Sequence, residues 1–91
     1  MFQSILGVSV KIGSKVRLKT FNGTLECPDV CELEENYWLL IGEVGTVVGE
    51  RAHNDRLIIQ FANDVQRLGL YCHNPEPNTL YILRTDLVLD A

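Results

Sequence analysis

Short runs of alternating apolar and polar residues are the feature that most constrains the fold of this chain. Successive side chains of a β-strand point to opposite faces, so such a run predicts a strand with one buried face. The runs occupy 15–20, 56–62, 79–84 and 87–89. Turn residues separate them, including Asn22-Gly23 and the prolines of 74–78. The sequence therefore predicts an all-β domain.

Three further elements are predicted from local patterns. A four-residue turn sequence predicts a hairpin between 44–51 and 56–62. An extra N-terminal strand is expected within 1–11, and 67–72 is a weaker strand candidate because it contains a glycine. The segment 28–35 begins with proline and carries acidic residues, so it predicts a short helical turn in a long first loop.

The chain length and composition fit one globular domain, 1–91, with 46% hydrophobic and 22% charged residues. The predicted core is Val16, Leu18, Val44, Val47, Leu57, Ile59, Phe61, Leu80, Ile82, Leu87 and Leu89. Three cysteines are an odd set, and the N-terminus lacks the features of a signal peptide, so we expect a cytoplasmic protein. No apolar run is long enough to cross a bilayer, so no membrane partner is expected.

The segment 42–48 narrows the fold class. Its sequence, Gly-Glu-Val-Gly-Thr-Val-Val, resembles the G-[DE]-x-G-x-V strand of SH3-like barrels, which include the KOW-type domains of translation and transcription proteins. Gly42 is expected to form a turn and Gly45 a bulge, so that Val44 and Val47 both reach the core. Three further segments match the same pattern in order: 12–18, 59–61 and 85–89.

The resemblance covers about 12–91 and is closest to small, stand-alone bacterial SH3-like proteins. It implies a five- to six-stranded SH3-like barrel with a long, acidic first loop, and it implies no activity, because function on such scaffolds depends on the individual site. An oligonucleotide-binding barrel is the competing topology. It normally needs a helix between its third and fourth strands, and 63–78 contains a glycine, two prolines and no helical pattern.

The cysteines and histidines raise the question of a zinc site. Cys27 and Cys31 are spaced C-x-x-x-C, and Cys72-His73 would complete four ligands. The spacing is loose and no second pair accompanies it, so packing cysteines are favoured and no metal or other cofactor is expected. No combination of nucleophile and base is apparent, His53 included, so the sequence predicts a protein that is not an enzyme.

Charge is unevenly distributed along the chain. A basic segment, 11–19, places Lys15, Arg17 and Lys19 on one strand face about 7 Å apart, a spacing suited to phosphate contacts. This suggests an RNA- or DNA-binding function as the alternative. The whole chain is acidic, with a net charge of −4, which argues against a nucleic-acid partner.

The acidic segment 26–43 leads to the preferred hypothesis. Glu32, Glu34 and Glu35 precede the aromatic pair Tyr37 and Trp38, a combination typical of a charged rim around an apolar anchor. Trp38 as a lid on the core is the favoured interpretation over Trp38 as a binding hot spot. The sequence predicts a non-catalytic protein-interaction module, an accessory or inhibitory (immunity-type) subunit for a larger or basic protein partner.

Overall fold

The computed structural model shows an all-β protein and describes residues 2–4, 11–28, 32–51, 55–63, 65–70 and 76–90. The strands are β1 (Phe2–Ser4), β2 (Lys15–Leu18), β3 (Val44–Arg51), β4 (Arg56–Phe61), β5 (Thr79–Leu83) and β6 (Leu87–Asp90). They form one antiparallel sheet in the order β1-β6-β2-β3-β4-β5. Within the described residues, β1 and β5 end this order and do not pair with each other.

Strand β2 shows why alternation predicted the sheet correctly. Val16 and Leu18 are buried, while Lys15 is exposed and Arg17 is half-buried. Because β2 lies between β3 and β6, its apolar face packs into the centre of the domain. An N-terminal strand, β1, pairs with β6, and it lies before the alternating residues Val8 and Val10 from which an extra strand was predicted; these two lie outside the described residues.

The predicted hairpin is confirmed as β3 and β4, but the irregularity lies elsewhere than expected. The register shifts between Val47 and Gly49, so the extra residue is Val48 and the bulge predicted at Gly45 is wrong. Gly45 is required for a different reason. A Cβ at this position would lie 2.5 Å from Cγ2 of Ile59, so only glycine allows β4 to approach this closely.

Every described helix is a short 3-10 turn: Leu33–Glu35, Tyr37–Leu40, Val65–Leu68 and Arg84–Asp86. The first lies within 28–35, where a helical turn was predicted and where 29–31 are outside the described residues, and the second lies beyond that segment. The third contradicts the strand predicted at 67–72, as far as that segment is described, because its residues continue a 3-10 turn. None of the helices in these parts of the chain could cross a membrane.

The core follows the predicted set with two corrections. Val44 is half-buried because it lies directly opposite Arg17 and shares its outward face, and Leu89 packs against the core while remaining partly exposed. Among the described residues, four buried apolar side chains were not predicted: Phe21, Leu40, Val65 and Leu70. They all lie outside the strands, where no alternation marks the buried positions.

Candidate protein-interaction surface

The long loop between β2 and β3 begins with a tight turn at Asn22-Gly23. Phe21 and Thr24 flank the turn and exchange two backbone hydrogen bonds, of 2.9 and 3.1 Å. Asn22 and Gly23 have φ of +50° and +81°, the positive values that a type I′ turn requires at both central residues. The turn predicted from the Asn-Gly pair is therefore confirmed.

The carboxylate of Asp86 holds this turn against the sheet. Asp86 is fully buried and precedes β6. Its Oδ1 accepts hydrogen bonds from the Thr20 hydroxyl at 2.6 Å and the Gly23 N–H at 2.9 Å, and its Oδ2 accepts one from the Asn22 N–H at 2.9 Å. A buried carboxylate is stable only when such donors replace water. Sequence analysis included Asp86 in the segment 85–89 of the SH3-like pattern and missed these hydrogen bonds.

An aromatic cluster fixes the other end of the loop to the same turn. The rings of Phe21 and Trp38 meet edge to face with centroids 4.8 Å apart, and Tyr37 lies 5.5 Å from Phe21. The indole N–H of Trp38 donates to the Thr24 hydroxyl at 2.8 Å. Tyr37 and Trp38 are half-buried and pack against the core.

Exposed leucines accompany the predicted acidic residues. Leu33 is 84% exposed, Leu25 68% and Leu39 52%. Leu25 follows Thr24 in the sequence and Leu39 follows Trp38, and the side chains of Thr24 and Trp38 are hydrogen-bonded to each other. Leu33 lies three residues before Asn36 and Leu39 three residues after it, and the two 3-10 turns meet at Asn36. The loop therefore presents several large apolar side chains that the core does not use.

The predicted rim residues lie among these leucines. Glu32 and Glu35 are exposed and Glu34 is half-buried. Leu33 lies between Glu32 and Glu34 in the sequence. The described ion pairs involve Arg17 and Arg84, and none of them reaches Glu34 or Glu35. We call Leu25, Leu33 and Leu39 together with Glu32, Glu34 and Glu35 the leucine–acid surface. Sequence analysis identified its acids and aromatic neighbours and missed the exposure of its leucines.

The basic strand face, predicted for nucleic acid, makes several contacts within the protein. The Lys15 ammonium donates to the Thr46 hydroxyl at 2.6 Å. The Arg17 guanidinium donates to the Gly42 carbonyl and pairs with Asp90 at 3.4 Å. Lys19 lies just beyond β2 and is exposed. A carboxylate beside Arg17 reduces the positive potential that a phosphate backbone would meet.

The zinc hypothesis falls largely outside the described residues. The structure does not describe four of the residues considered, so it does not test them: Cys31, His53, Cys72 and His73. Cys27 is half-buried, and its thiol donates to the Pro28 carbonyl at 3.2 Å. Within the described ranges, no group of three His, Cys, Asp or Glu residues is arranged to hold a metal.

In comparisons with known proteins, the chain matches no protein-family model, no curated protein and no solved structure. Its function is therefore argued from its own residues.

Proposed function

We propose that this protein is a non-catalytic interaction module with an SH3-like barrel fold, which binds a basic protein partner through the leucine–acid surface. The motif order of the sequence supports the fold, as does the position of β6 beside β2 with a 3-10 turn just before it. Closing β1 and β5 into a barrel would remove the two strand edges of the sheet, which proteins generally protect.

The exposure of the leucines is the observation that carries the proposal. Leu33 is 84% exposed although burying a leucine side chain is worth about 1.5–3 kcal/mol. Single exposed apolar residues are common on protein surfaces. Three on one loop, beside two half-buried aromatic rings, are better explained as an apolar area that a partner covers.

The charge of the loop indicates what kind of partner would fit. The sequence has no lysine or arginine from residue 20 to residue 50, and Glu32, Glu34 and Glu35 surround Leu33. Complementary charge at the rim of an interface accelerates association and excludes wrong partners. A partner with a basic, partly apolar surface is therefore favoured, and an inhibitory, immunity-type role is the form of this function that best suits a small acidic protein.

The two ends of the loop are also held in place before binding. Asp86 fixes its first turn, and the Phe21–Trp38 contact joins its two ends to the core. Ordering a loop on association costs free energy, so a loop already fixed by the fold binds more tightly. Tyr37 and Trp38, which pack against the core, thus support the surface.

The test compares variants of the loop with variants elsewhere on the protein. The partner is captured from the native cell on the immobilised protein, purified and titrated against each variant. Leu33→Ser/Leu39→Ser should weaken its affinity about tenfold or more, corresponding to about 1.4 kcal/mol. Leu68→Ser is the control, because Leu68 is 43% exposed and lies outside the surface. Equal affinities for the leucine variant and this control would contradict the proposal.

The charge contribution is measured separately. Glu34→Gln/Glu35→Gln should slow association and flatten its salt dependence, since rim charges act mainly on the association rate. Glu50→Gln/Glu76→Gln removes the same number of charges outside the loop and should leave the rate near that of the wild type.

The nucleic-acid alternative predicts a different result. Binding to generic RNA or DNA that weakens steeply with salt, and that is lost in Lys15→Gln/Lys19→Gln, would favour it. Absence of such binding at low salt would exclude it.

A further inference from the structure

Asn22-Gly23 is the only Asn-Gly pair in the sequence. In any chain this pair is prone to spontaneous deamidation, because glycine has no side chain to hinder attack by its own backbone nitrogen. The Gly23 nitrogen loses its proton and forms a bond to Cγ of Asn22, and the side-chain amide leaves as ammonia. Water then opens the resulting succinimide to aspartate or isoaspartate. The net change is one water consumed and one ammonia released, with no oxidation or reduction.

The folded protein engages each group that this reaction needs. The Gly23 N–H donates to Asp86 Oδ1 at 2.9 Å, so the attacking nitrogen would have to lose its proton beside a carboxylate. The Asn22 N–H donates to Asp86 Oδ2 at 2.9 Å, which holds the backbone of the reacting residue. The side-chain oxygen of Asn22 accepts from the Arg56 guanidinium at 3.3 Å, which restrains the amide under attack.

We propose that Asn22 is a latent deamidation site, and that the hydrogen bonds of Asp86 to the turn control its rate of modification. The reaction proceeds when the turn leaves Asp86, so the rate of modification reports the opening of this part of the loop.

Modification would change the loop itself. Isoaspartate adds one carbon to the main chain between Asn22 and Gly23, so the two N–H groups can no longer both reach the Asp86 carboxylate in the present register. Either product also adds a negative charge near Asp86. Thr24, which follows the turn, holds the Trp38 indole, so the altered turn should change the environment of that ring.

The experiment measures the mass increase of the peptide containing Asn22 during incubation at about neutral pH and physiological temperature. A synthetic peptide covering 19–25 gives the unprotected rate. The folded wild type should react at least about tenfold more slowly than the peptide, corresponding to about 1.4 kcal/mol of protection. Asp86→Asn should recover much of the peptide rate, and Trp38 fluorescence should change in step with modification.

A second variant keeps the test decisive if Asp86→Asn does not fold. Thr20→Val removes one donor to Asp86 Oδ1 and leaves the carboxylate in place. Thr20→Val should accelerate deamidation by a smaller factor than Asp86→Asn. The control is Asp90→Asn, which removes a carboxylate that does not contact the turn and should leave the rate unchanged. A wild-type rate equal to that of the peptide would overturn the proposal. So would a folded Asp86→Asn, or a folded Thr20→Val, that reacts at the wild-type rate.

Discussion

The buried carboxylate of Asp86 is the residue on which the start of the long loop depends. Replacing it with asparagine keeps its shape and leaves an NH₂ group facing either the Asn22 N–H alone or both the Thr20 hydroxyl and the Gly23 N–H. Hydrogen bonds to a charged group and an unsatisfied buried donor are each worth about 1–3 kcal/mol. We therefore expect Asp86→Asn to lower the free energy of unfolding by about 2–3 kcal/mol in urea titrations.

Asp90→Asn is the matched control for this substitution. Asp90 pairs with Arg17 at 3.4 Å and its side chain is 25% exposed, so losing the pair should cost no more than about 1 kcal/mol. Equal stability of the two variants would show that the three hydrogen bonds of Asp86 contribute little.

Trp38 offers a second prediction at the residue scale. Its ring packs edge to face on Phe21, and its N–H donates to Thr24, so Trp38→Ala should reduce the free energy of unfolding by about 2–4 kcal/mol. Trp38→Phe keeps an aromatic ring and loses the hydrogen bond, and should cost about 1 kcal/mol. Circular dichroism follows both variants without relying on tryptophan emission. An alanine variant as stable as the wild type would mean that Trp38 serves binding alone.

Among the elements, the β3–β4 hairpin depends on a close approach at Gly45. The Cβ of an alanine would meet Cγ2 of Ile59 at 2.5 Å and the Gln60 carbonyl oxygen at 3.0 Å. Overpacking of this kind typically costs about 1–3 kcal/mol. Gly45→Ala should therefore lower the midpoint of urea unfolding clearly.

Gly49→Ala is the control within the same strand. Its Cβ would meet Cδ1 of Ile58 at 3.0 Å, the far end of a flexible side chain that can turn aside. We expect a smaller loss of stability there. If Gly49→Ala proved the more damaging of the two, the strand spacing at Gly45 would not be the constraint.

The same hairpin shows how far an element can be predicted from its sequence. Strand β4 followed from local alternation, because side-chain direction along a strand depends on adjacent residues alone. Its pairing with β3 followed from the short turn sequence between them. The bulge at Val48 did not follow, because a register shift depends on how β4 packs against β3. The 3-10 turn at Val65–Leu68 was missed for a similar reason. The backbone N–H of its buried first residue, Val65, donates to the side chain of Asn78, which lies at the other end of the connection between β4 and β5.

At the scale of the whole molecule, the sheet order places strand β6 between β1 and β2. The long loop packs on the same core through Phe21, Leu40 and the aromatic pair. We expect the loop and the sheet to unfold together, so the urea transitions seen by Trp38 fluorescence and by far-ultraviolet circular dichroism should coincide. A fluorescence transition at clearly lower urea would show that the loop is a separate, weaker unit.

The sequence by itself determined the strands β2, β4, β5 and β6, most of their buried residues and the acidic character of the first loop, because these depend on residue order over a few positions. Only the tertiary structure decided what Asp86 binds, since its partners lie 63 to 66 residues earlier in the chain. It also decided which apolar residues outside the strands are buried in the core: Phe21 and Leu40 are buried, and Leu33 is exposed to solvent. No local pattern separates these leucines, because burial outside a regular element depends on which distant side chains come to lie against it.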